Sequence, residues 1–250
     1  MPFSAVIITK NEAHNIERTL IALQEVCTDI VIVDSGSTDA TIAICERLGV
    51  RVISYDWKGY AANKNYGASC CENDWVLSID ADEVLSDELI NSLSEIQLVE
   101  NTVYSLDRFT NYCGQWIRHS GWYPEWKPRL YQRTQVHWQG DFVHETLAIP
   151  KNFNLIRLEG KLLHYSYTSS EDHLERIERY AQLSAQQLFA QHKKTGFLKL
   201  WLAPVFRFFK TYILKRGFLD GKNGWIISCR NASMVHRKYR LLNDLWKGKD

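Results

Sequence analysis

Over the first hundred residues, short apolar runs alternate with stretches whose apolar residues recur every three or four positions. Residues 4–9 and 29–34 are almost continuous in Val and Ile, as strands buried on both faces are, and between them Ile16, Leu20, Leu23 and Val26 mark one side of a helix over 13–26. A second helical stretch over 39–48 ends at Gly49, a residue suited to a helix C-terminus, and 50–54 reads as a third strand. Residues 59–71 read as a loop and helix, 75–80 as a fourth strand, and Ser86 as the N-cap of a helix over 87–97. Strands alternating with helices of these lengths predict an α/β fold, Rossmann-like, with a mostly parallel sheet and helices on both faces. From 103 to 167 the pattern changes to short strands (103–109, 129–133, 155–158 and 161–167) joined by aromatic loops. Three further helices follow over 170–192, 197–216 and 223–245, so the expected organisation is one domain over 1–168, with a seam near 100, and a helical C-terminal region over 169–250.

Composition adds two constraints. With 250 residues, 45% of them hydrophobic and 24% charged, the chain can bury a sizeable core. The six cysteines (27, 45, 70, 71, 113 and 229) have no CxxC spacing, so reduced thiols are expected rather than a disulfide framework or a zinc site. The apolar stretch near the start is too short for a secretory signal and runs into Lys10 and Glu12. The net charge of +1 conceals an asymmetry: residues 193–250 carry 14 Lys and Arg against 3 Asp and Glu, leaving 16 against 26 for residues 1–192. An acidic body suits a cation site, and a basic C-terminal region suits an anionic surface.

Candidate chemistry concentrates where strands end. Trp75-Val76-Leu77 runs into Asp80, Asp82 and Glu83, and the second strand ends at Asp34, followed by Ser35-Gly36-Ser37-Thr38-Asp39. In open parallel sheets ligands bind beyond the carboxyl ends of the strands, so these acids are expected to converge on one crevice. Paired carboxylates at such an end can share a hard divalent cation, Mg²⁺ or Mn²⁺, and like charges this close repel unless a cation compensates them. The plainer readings are a solvated turn for 80–83, an Asx-turn for Asp34, a helix-start acid for Asp39 and an exposed helical lysine for Lys64. The aromatic stretch from Trp116 to Trp126 fits either a sugar-binding surface or a packed cluster beneath a loop.

With Lys10-Asn11-Glu12, Asp34-Ser35-Gly36-Ser37-Thr38-Asp39, Asn63-Lys64-Asn65 and Asp80-Ala81-Asp82-Glu83 in this order, the chain resembles family 2 glycosyltransferases of the GT-A fold. Arg129-Leu130-Tyr131, Val143-His144-Glu145, Leu163-His164-Tyr165 and Gly217-Phe218-Leu219-Asp220-Gly221 resemble the bacterial subgroup that adds a β-1,4-glucose to a heptose of the lipopolysaccharide inner core. The resemblance implies an inverting transfer of a hexose from a UDP-sugar, with 1–100 binding the nucleotide-sugar and 101–168 the acceptor. It implies that Glu12 and Asp34 hold the base and ribose, with Asp39 and Lys64 further donor contacts. Asp82 is the implied direct ligand of Mg²⁺ or Mn²⁺, Asp80 lies at the ribose or on the metal through water, and His164 is a third ligand or a diphosphate contact. The base that deprotonates the acceptor is sought in 141–145, where Glu145, Asp141 and His144 all have suitable chemistry.

Two readings compete. Asp80-Ala81-Asp82-Glu83-Val84 also satisfies the motif of haloacid dehalogenase phosphatases, in which the first Asp is a nucleophile, and a non-catalytic nucleotide-sugar binder would share Asp34. In the C-terminal region, apolar residues of 197–216 alternate with Lys199, Arg207, Lys210, Lys215 and Arg216, and no run reaches the roughly 20 apolar residues of a membrane span. This segment fits a helix lying in a membrane interface, which predicts a cytoplasmic enzyme peripheral on the inner membrane, acting on a lipid-linked glycan and not on nucleic acid. A helix packed on the body or on a second subunit is the alternative.

Overall fold

The computed structural model describes residues 3–140, 145–167 and 169–248, so the candidates Asp141 and His144 lie outside the described residues. The chain forms two compact units. The first comprises the chain up to Arg108 together with Glu125–Tyr165, and the second Phe109–Pro124 together with the chain from Ser166 onward. The sequence had placed 109–124 with the first part.

In the first unit the apolar runs form strands β1 (Ser4–Thr9), β2 (Ile30–Asp34), β3 (Arg51–Ser54) and β4 (Trp75–Asp80), connected by helices α1 (Ile16–Gln24), α2 (Thr41–Arg47) and α3 (Tyr60–Ser69). These four strands are parallel, in the order β3-β2-β1-β4. A short β5 (Glu83–Leu85) and α4 (Asp87–Ser94) follow. The Ser86 side chain caps α4 by accepting the Leu89 N–H at 3.3 Å, as its sequence position predicts, and also accepts the Lys161 N–H at 2.9 Å. Beyond β4 the sheet continues through β8 (Trp126–Gln132), β6 (Thr102–Tyr112), β11 (Asn154–Tyr167) and β5, with β7 (Gln115–Trp116) paired to β6. In this part β8 pairs with β4 and β6, β7 with β6, and β5 with β11, all antiparallel. Strands β9 (Trp138–Gln139) and β10 (Thr146–Leu147) form a separate two-stranded ribbon.

Alternate residues of the parallel strands face opposite sides. Ile7, Ile32, Leu77 and Ile79 join one buried cluster with Ile16, Leu20 and Leu23 of α1, and Val6, Val31, Val33 and Val76 join another with Tyr131 and Trp138. Each fully buried aliphatic side chain contributes about 1.5–3 kcal/mol, so covering both faces makes the parallel strands the rigid floor of the unit. Helix α3 comes unusually close to that floor. A Cβ on its Gly67 would lie 2.3 Å from Cγ2 of Val6 and 2.8 Å from Cγ2 of Val33, so only glycine permits the approach. The two strands expected over 155–158 and 161–167 are one, β11, because Gly160 adopts a positive φ of 94° within the strand and lets it continue past the backbone of Leu89.

The second unit contains the end of β6, the β7 hairpin, α5 (Ser170–Ala190), α6 (Phe197–Phe209), a π-helical turn over Lys210–Leu214, a 3₁₀ turn over Gly217–Asp220, and α7 (Gly221–Lys247). Its small core joins Tyr112 and Ile117 to Ile227 of α7, with Trp122 and Tyr167 packed against them. That packing is why 109–124 belongs to this unit. Trp122 stacks on Tyr167 at 5.4 Å between ring centroids, so for Trp122 the packed-cluster reading holds. Asp220, almost fully buried, accepts from the backbone N–H groups of Arg118 (3.1 Å) and His119 (3.0 Å), lies 3.0 Å from Nδ1 of His119, and accepts from the Ser120 hydroxyl at 3.3 Å. One side chain thus clamps the loop after β7.

Candidate active site

The sheet register places the candidate acids along one edge. Thr9 of β1 pairs with Asp34 of β2, and Ile8 pairs with Asp80 of β4, so the two acids flank the end of β1. They sit two strand spacings apart, roughly 10 Å.

On the β2 side the chain itself occupies the carboxylates. Asp34, 1% exposed, accepts the N–H groups of Gly36 and Ser37, each at 2.9 Å, and the Ser37 hydroxyl, which is an Asx-turn. Asp39 accepts from the Thr41 hydroxyl at 2.5 Å, the Thr41 N–H at 3.0 Å and the Ala13 N–H at 3.1 Å. The Thr41 hydroxyl is the main reason its carboxyl titrates below the usual value. Asn11, at a positive φ of 57°, accepts the Thr38 N–H and donates its own N–H to the Ser37 hydroxyl. The Glu12 carboxylate accepts from the Asn15 amide at 2.8 Å, and its N–H reaches Thr41 at 2.8 Å. Residues 11–13 and 37–41 are therefore zipped together, and Glu12, Asp34 and Asp39 share one preorganised pair of loops.

On the β4 side the arrangement is ionic. The Lys64 ammonium, 2% exposed, lies 3.0 Å from Asp80 and 3.1 Å from Glu145, and 4.4 Å from the ring centre of Trp138. Asn65, the next residue on α3, donates to and accepts from the Trp138 backbone at 2.8 Å in each direction, which fixes the β9 ribbon against the helix. The other oxygen of Asp80 meets Arg129 at 2.7 Å, and Arg129 reaches Glu83 at 2.6 Å. Glu83 has no exposed surface, accepts the Asp80 N–H at 3.0 Å and lies 3.5 Å from Arg108, which pairs in turn with Glu125 at 2.8 Å. Burial opposes ionisation of Asp80, but Arg129 and then Lys64 outweigh it and hold its carboxyl well below the ordinary carboxylate range.

This corrects one step of the sequence argument. Repulsion among acids 80, 82 and 83 does not by itself call for a metal, because Lys64, Arg129 and Arg108 compensate two of the three. It also corrects the plain reading of Lys64 as an exposed lysine. Asp82 is different: it lies in the turn between β4 and β5, and its Oδ2 is 3.4 Å from Nε2 of His164. Its carbonyl accepts the Tyr165 N–H at 2.9 Å, which ties that turn to β11. Among the described residues no three Asp, Glu, His or Cys side chains gather closely enough to hold an ion by themselves. The six cysteines are free thiols, and burial pushes Cys27 and Cys71 up to about 12, so both are protonated at neutral pH.

Sequence reasoning missed the roles of Arg129, Arg108, Glu83 and Trp138. The signal for Arg129 was present: a guanidinium inside a strand and followed by Leu130 and Tyr131 is buried only when paired. Nothing local pointed to Arg108 or to Trp138, whose partners are far away in sequence.

The parallel strands β3-β2-β1-β4 with acids at their carboxyl ends, continued by the antiparallel part of the sheet, form the GT-A fold of glycosyltransferases. Residues 4–153 match the family described as Glycosyl transferase family 2, and the chain belongs to that family. An uncharacterized glycosyltransferase of Rickettsia felis (strain ATCC VR-1525 / URRWXCal2) is 32% identical over 99% of this chain and 92% of its own length. The lipopolysaccharide core biosynthesis glycosyltransferase LpsC of Rhizobium meliloti (strain 1021) is 27% identical over 96% of this chain and 94% of its own. Among solved structures, the mannosyltransferase PcManGT of Pyrobaculum calidifontis, in complex with GDP-Man and Mn²⁺, shares the fold at a TM-score of 0.51 and 15% identity, covering 99% of this chain and 79% of that one. The protein is a glycosyltransferase, which overturns both the phosphatase and the non-catalytic readings. Asp80 is also poorly placed as a phosphatase nucleophile, with both oxygens in ion pairs.

Proposed function

We propose that the enzyme transfers a hexose, glucose in our reading, from a UDP-sugar to a heptose of a lipid-linked lipopolysaccharide core, with inversion, at the cytoplasmic face of the inner membrane. The observation that carries the chemical part is the chain Asp80–Lys64–Glu145: one ammonium joins the acidic end of β4 to a carboxylate from the segment in which the acceptor's base was sought. The likeness to LpsC supports the acceptor class.

In this reading the preorganised loops at Glu12, Asp34 and Asp39 receive the uridine. Asp82 and His164, one carboxylate and one imidazole side by side, fit part of the shell of a divalent ion, with diphosphate oxygens and water completing it. An imidazole in the set suits Mn²⁺ better than Mg²⁺. When bound, the ion neutralises charge developing on the leaving diphosphate. Asp80, saturated by Lys64 and Arg129, is placed to position rather than to ligate. Glu145 takes the proton of the attacking hydroxyl, and Lys64 orients it; Asp141 and His144 remain in the same segment as the alternatives.

The test is UDP release from UDP-glucose in the presence of Mn²⁺, with and without heptose-terminated core lipid. Acceptor-stimulated release with β-linked glucose on the heptose is the expected result. Release from a different nucleotide-sugar, or glucose on another acceptor, would overturn the specific assignment.

A further inference from the structure

Helix α6 packs on α7 through one side, with Phe208 5.1 Å from Trp225 between ring centroids, and leaves a second apolar face uncovered. Phe197, Trp201, Leu202, Val205, Phe206 and Phe209 recur at helical spacing, and all are exposed, with Phe197 78%, Val205 66% and Phe206 62% accessible. Not one residue of the helix is buried. The apolar stripe continues into the π turn through Ile213 and Leu214, both exposed. Soluble monomers rarely leave a contiguous apolar patch beyond a few hundred Å² uncovered.

Charge decides what covers it. From Arg179 to Leu219 the chain has no Asp or Glu, while 193–216 holds seven Lys and Arg. Lys199, Lys210, Lys215 and Arg216 are exposed. Arg207 is turned inward, with its Nε buried and without a hydrogen-bond partner, so it does not belong to this ring. A two-fold contact between copies would set the same cations against each other, because such an interface uses one patch on both partners. An anionic surface has the opposite requirement. At 13 residues α6 is about 20 Å long, short of the roughly 30 Å of a bilayer core, and no helix among the described residues is long and apolar enough to cross a membrane.

We propose that the outward face of α6 and its π turn docks, in the plane of the interface, onto a bilayer containing anionic lipid. The aromatic and aliphatic side chains enter the headgroup boundary and the lysines and Arg216 meet the lipid phosphates. The same element fixes the loop after β7: Lys215 accepts the Ser120 N–H at 2.9 Å, and Asp220, at the end of the next turn, holds 118–120. Docking therefore anchors the loop that presents Arg118 and His119, the groups on this unit suited to an anionic, membrane-borne acceptor. This use of the surface rests on the proposed lipid-linked acceptor, whereas docking itself is measured with neither donor nor acceptor present.

The experiment is co-sedimentation of the full chain with vesicles of phosphatidylcholine alone or with about a third phosphatidylglycerol, at low and high salt. The wild type is expected to sediment with the anionic vesicles at low salt, less at high salt and poorly with the neutral ones. Replacing Lys199, Lys210, Lys215 and Arg216 with Gln should lower partitioning by about 10²-fold to 10³-fold. Trp201→Ser with Phe206→Ser should abolish it at both salts. Both variants should keep wild-type circular dichroism and UDP-sugar hydrolysis, since none of these side chains is buried. Failure of the wild type to bind, equal binding by the variants, or a dimer in light scattering that Trp201→Ser with Phe206→Ser dissolves would overturn the proposal. Loss of acceptor specificity with docking intact would count against the proposed function alone.

Discussion

The two units handle charge in opposite ways. In the first, Asp80, Glu83, Glu125 and Glu145 each meet Lys64, Arg108 or Arg129 within 3.5 Å, and Glu83, Lys64 and Arg129 are themselves buried. In the second, seven cations between 193 and 216 face no acid in 41 successive residues. Internal compensation fixes geometry, because each buried ion is held by partners that cannot leave without stranding it. Uncompensated charge beside exposed apolar surface does the reverse and marks a part of the molecule whose partner is outside it.

The largest expected effect breaks the first unit at Asp82, whose carboxylate lies beside His164 in the turn between β4 and β5. Asp82→Ala is predicted to lower turnover by about 10³-fold or more and to remove the Mn²⁺ response, since a catalytic ion is worth several kcal/mol at the transition state. Activity within tenfold of wild type with an unchanged Mn²⁺ titration would reject the assignment. Glu145→Gln is predicted to lower turnover by about 10²-fold to 10⁴-fold while UDP-sugar affinity, read by calorimetry, stays near normal. A normal rate would move the base to Asp141 or His144.

Arg129→Met tests the compensation directly. It removes the 2.6 Å partner of Glu83, which has no exposed surface, and leaves Arg108 at 3.5 Å; urea unfolding should show a loss of about 3 kcal/mol, whereas Arg47→Ala, which breaks the exposed pair with Glu17, should change stability by less than about 1 kcal/mol. Equal losses would mean the buried chain is no more structural than a surface pair.

Acid should separate the units. His173, packed on Tyr112 with its Nδ1 2.9 Å from the hydroxyl, has its pKa lowered from 6.5 to about 4, first by burial and then by Arg230. The unfolded chain takes up this proton at a higher pH than the folded one does, so the stabilisation is complete above about 6.5 and declines toward about 4, by roughly 2–3 kcal/mol. The Asp80 carboxylate acts in a lower range: its folded pKa is held below the ordinary value, so its contribution is complete above the ordinary carboxylate value and is lost as the pH falls from there toward the lowered one. Melting followed between pH 7 and 4.5 should show the helical unit weakening first, and His173→Gln should flatten that slope. A parallel decline of both units, or no change with His173→Gln, would contradict the assignment.

Much of this was legible in the residues because it is local. The Val and Ile runs of β1 and β2, the helical spacing of α1 and the Ser86 cap each follow from neighbours a few positions away, and the acids at 34, 80 and 82 stand at strand ends that the same pattern predicts. What was not legible depends on distant approach. Arg129 meets Glu83 across 46 positions, Asp220 clamps His119 across 101, and β5 has too few residues to show a period. For Lys64 the sequence left a donor contact and an exposed lysine open, because nothing in its helix tells which side faces the sheet. For 197–216 the sequence left an interfacial helix and a packed one open, because an apolar stripe shows only that a face wants covering and not what covers it.

The close seating of α3 gives the hydrophobic floor a lever over the reaction. Gly67 rests directly on the methyls of Val6 and Val33, and Lys64 stands one turn earlier on the same rod, between Asp80 and Glu145. Lengthening either valine by a methylene would tilt that rod and swing the ammonium, although both valines are apolar and lie more than 25 positions from Lys64 in sequence. The enzyme's rate can therefore drift through mutations that look like neutral exchanges of one aliphatic residue for another, and a search for activity-altering variants confined to charged positions would pass over them.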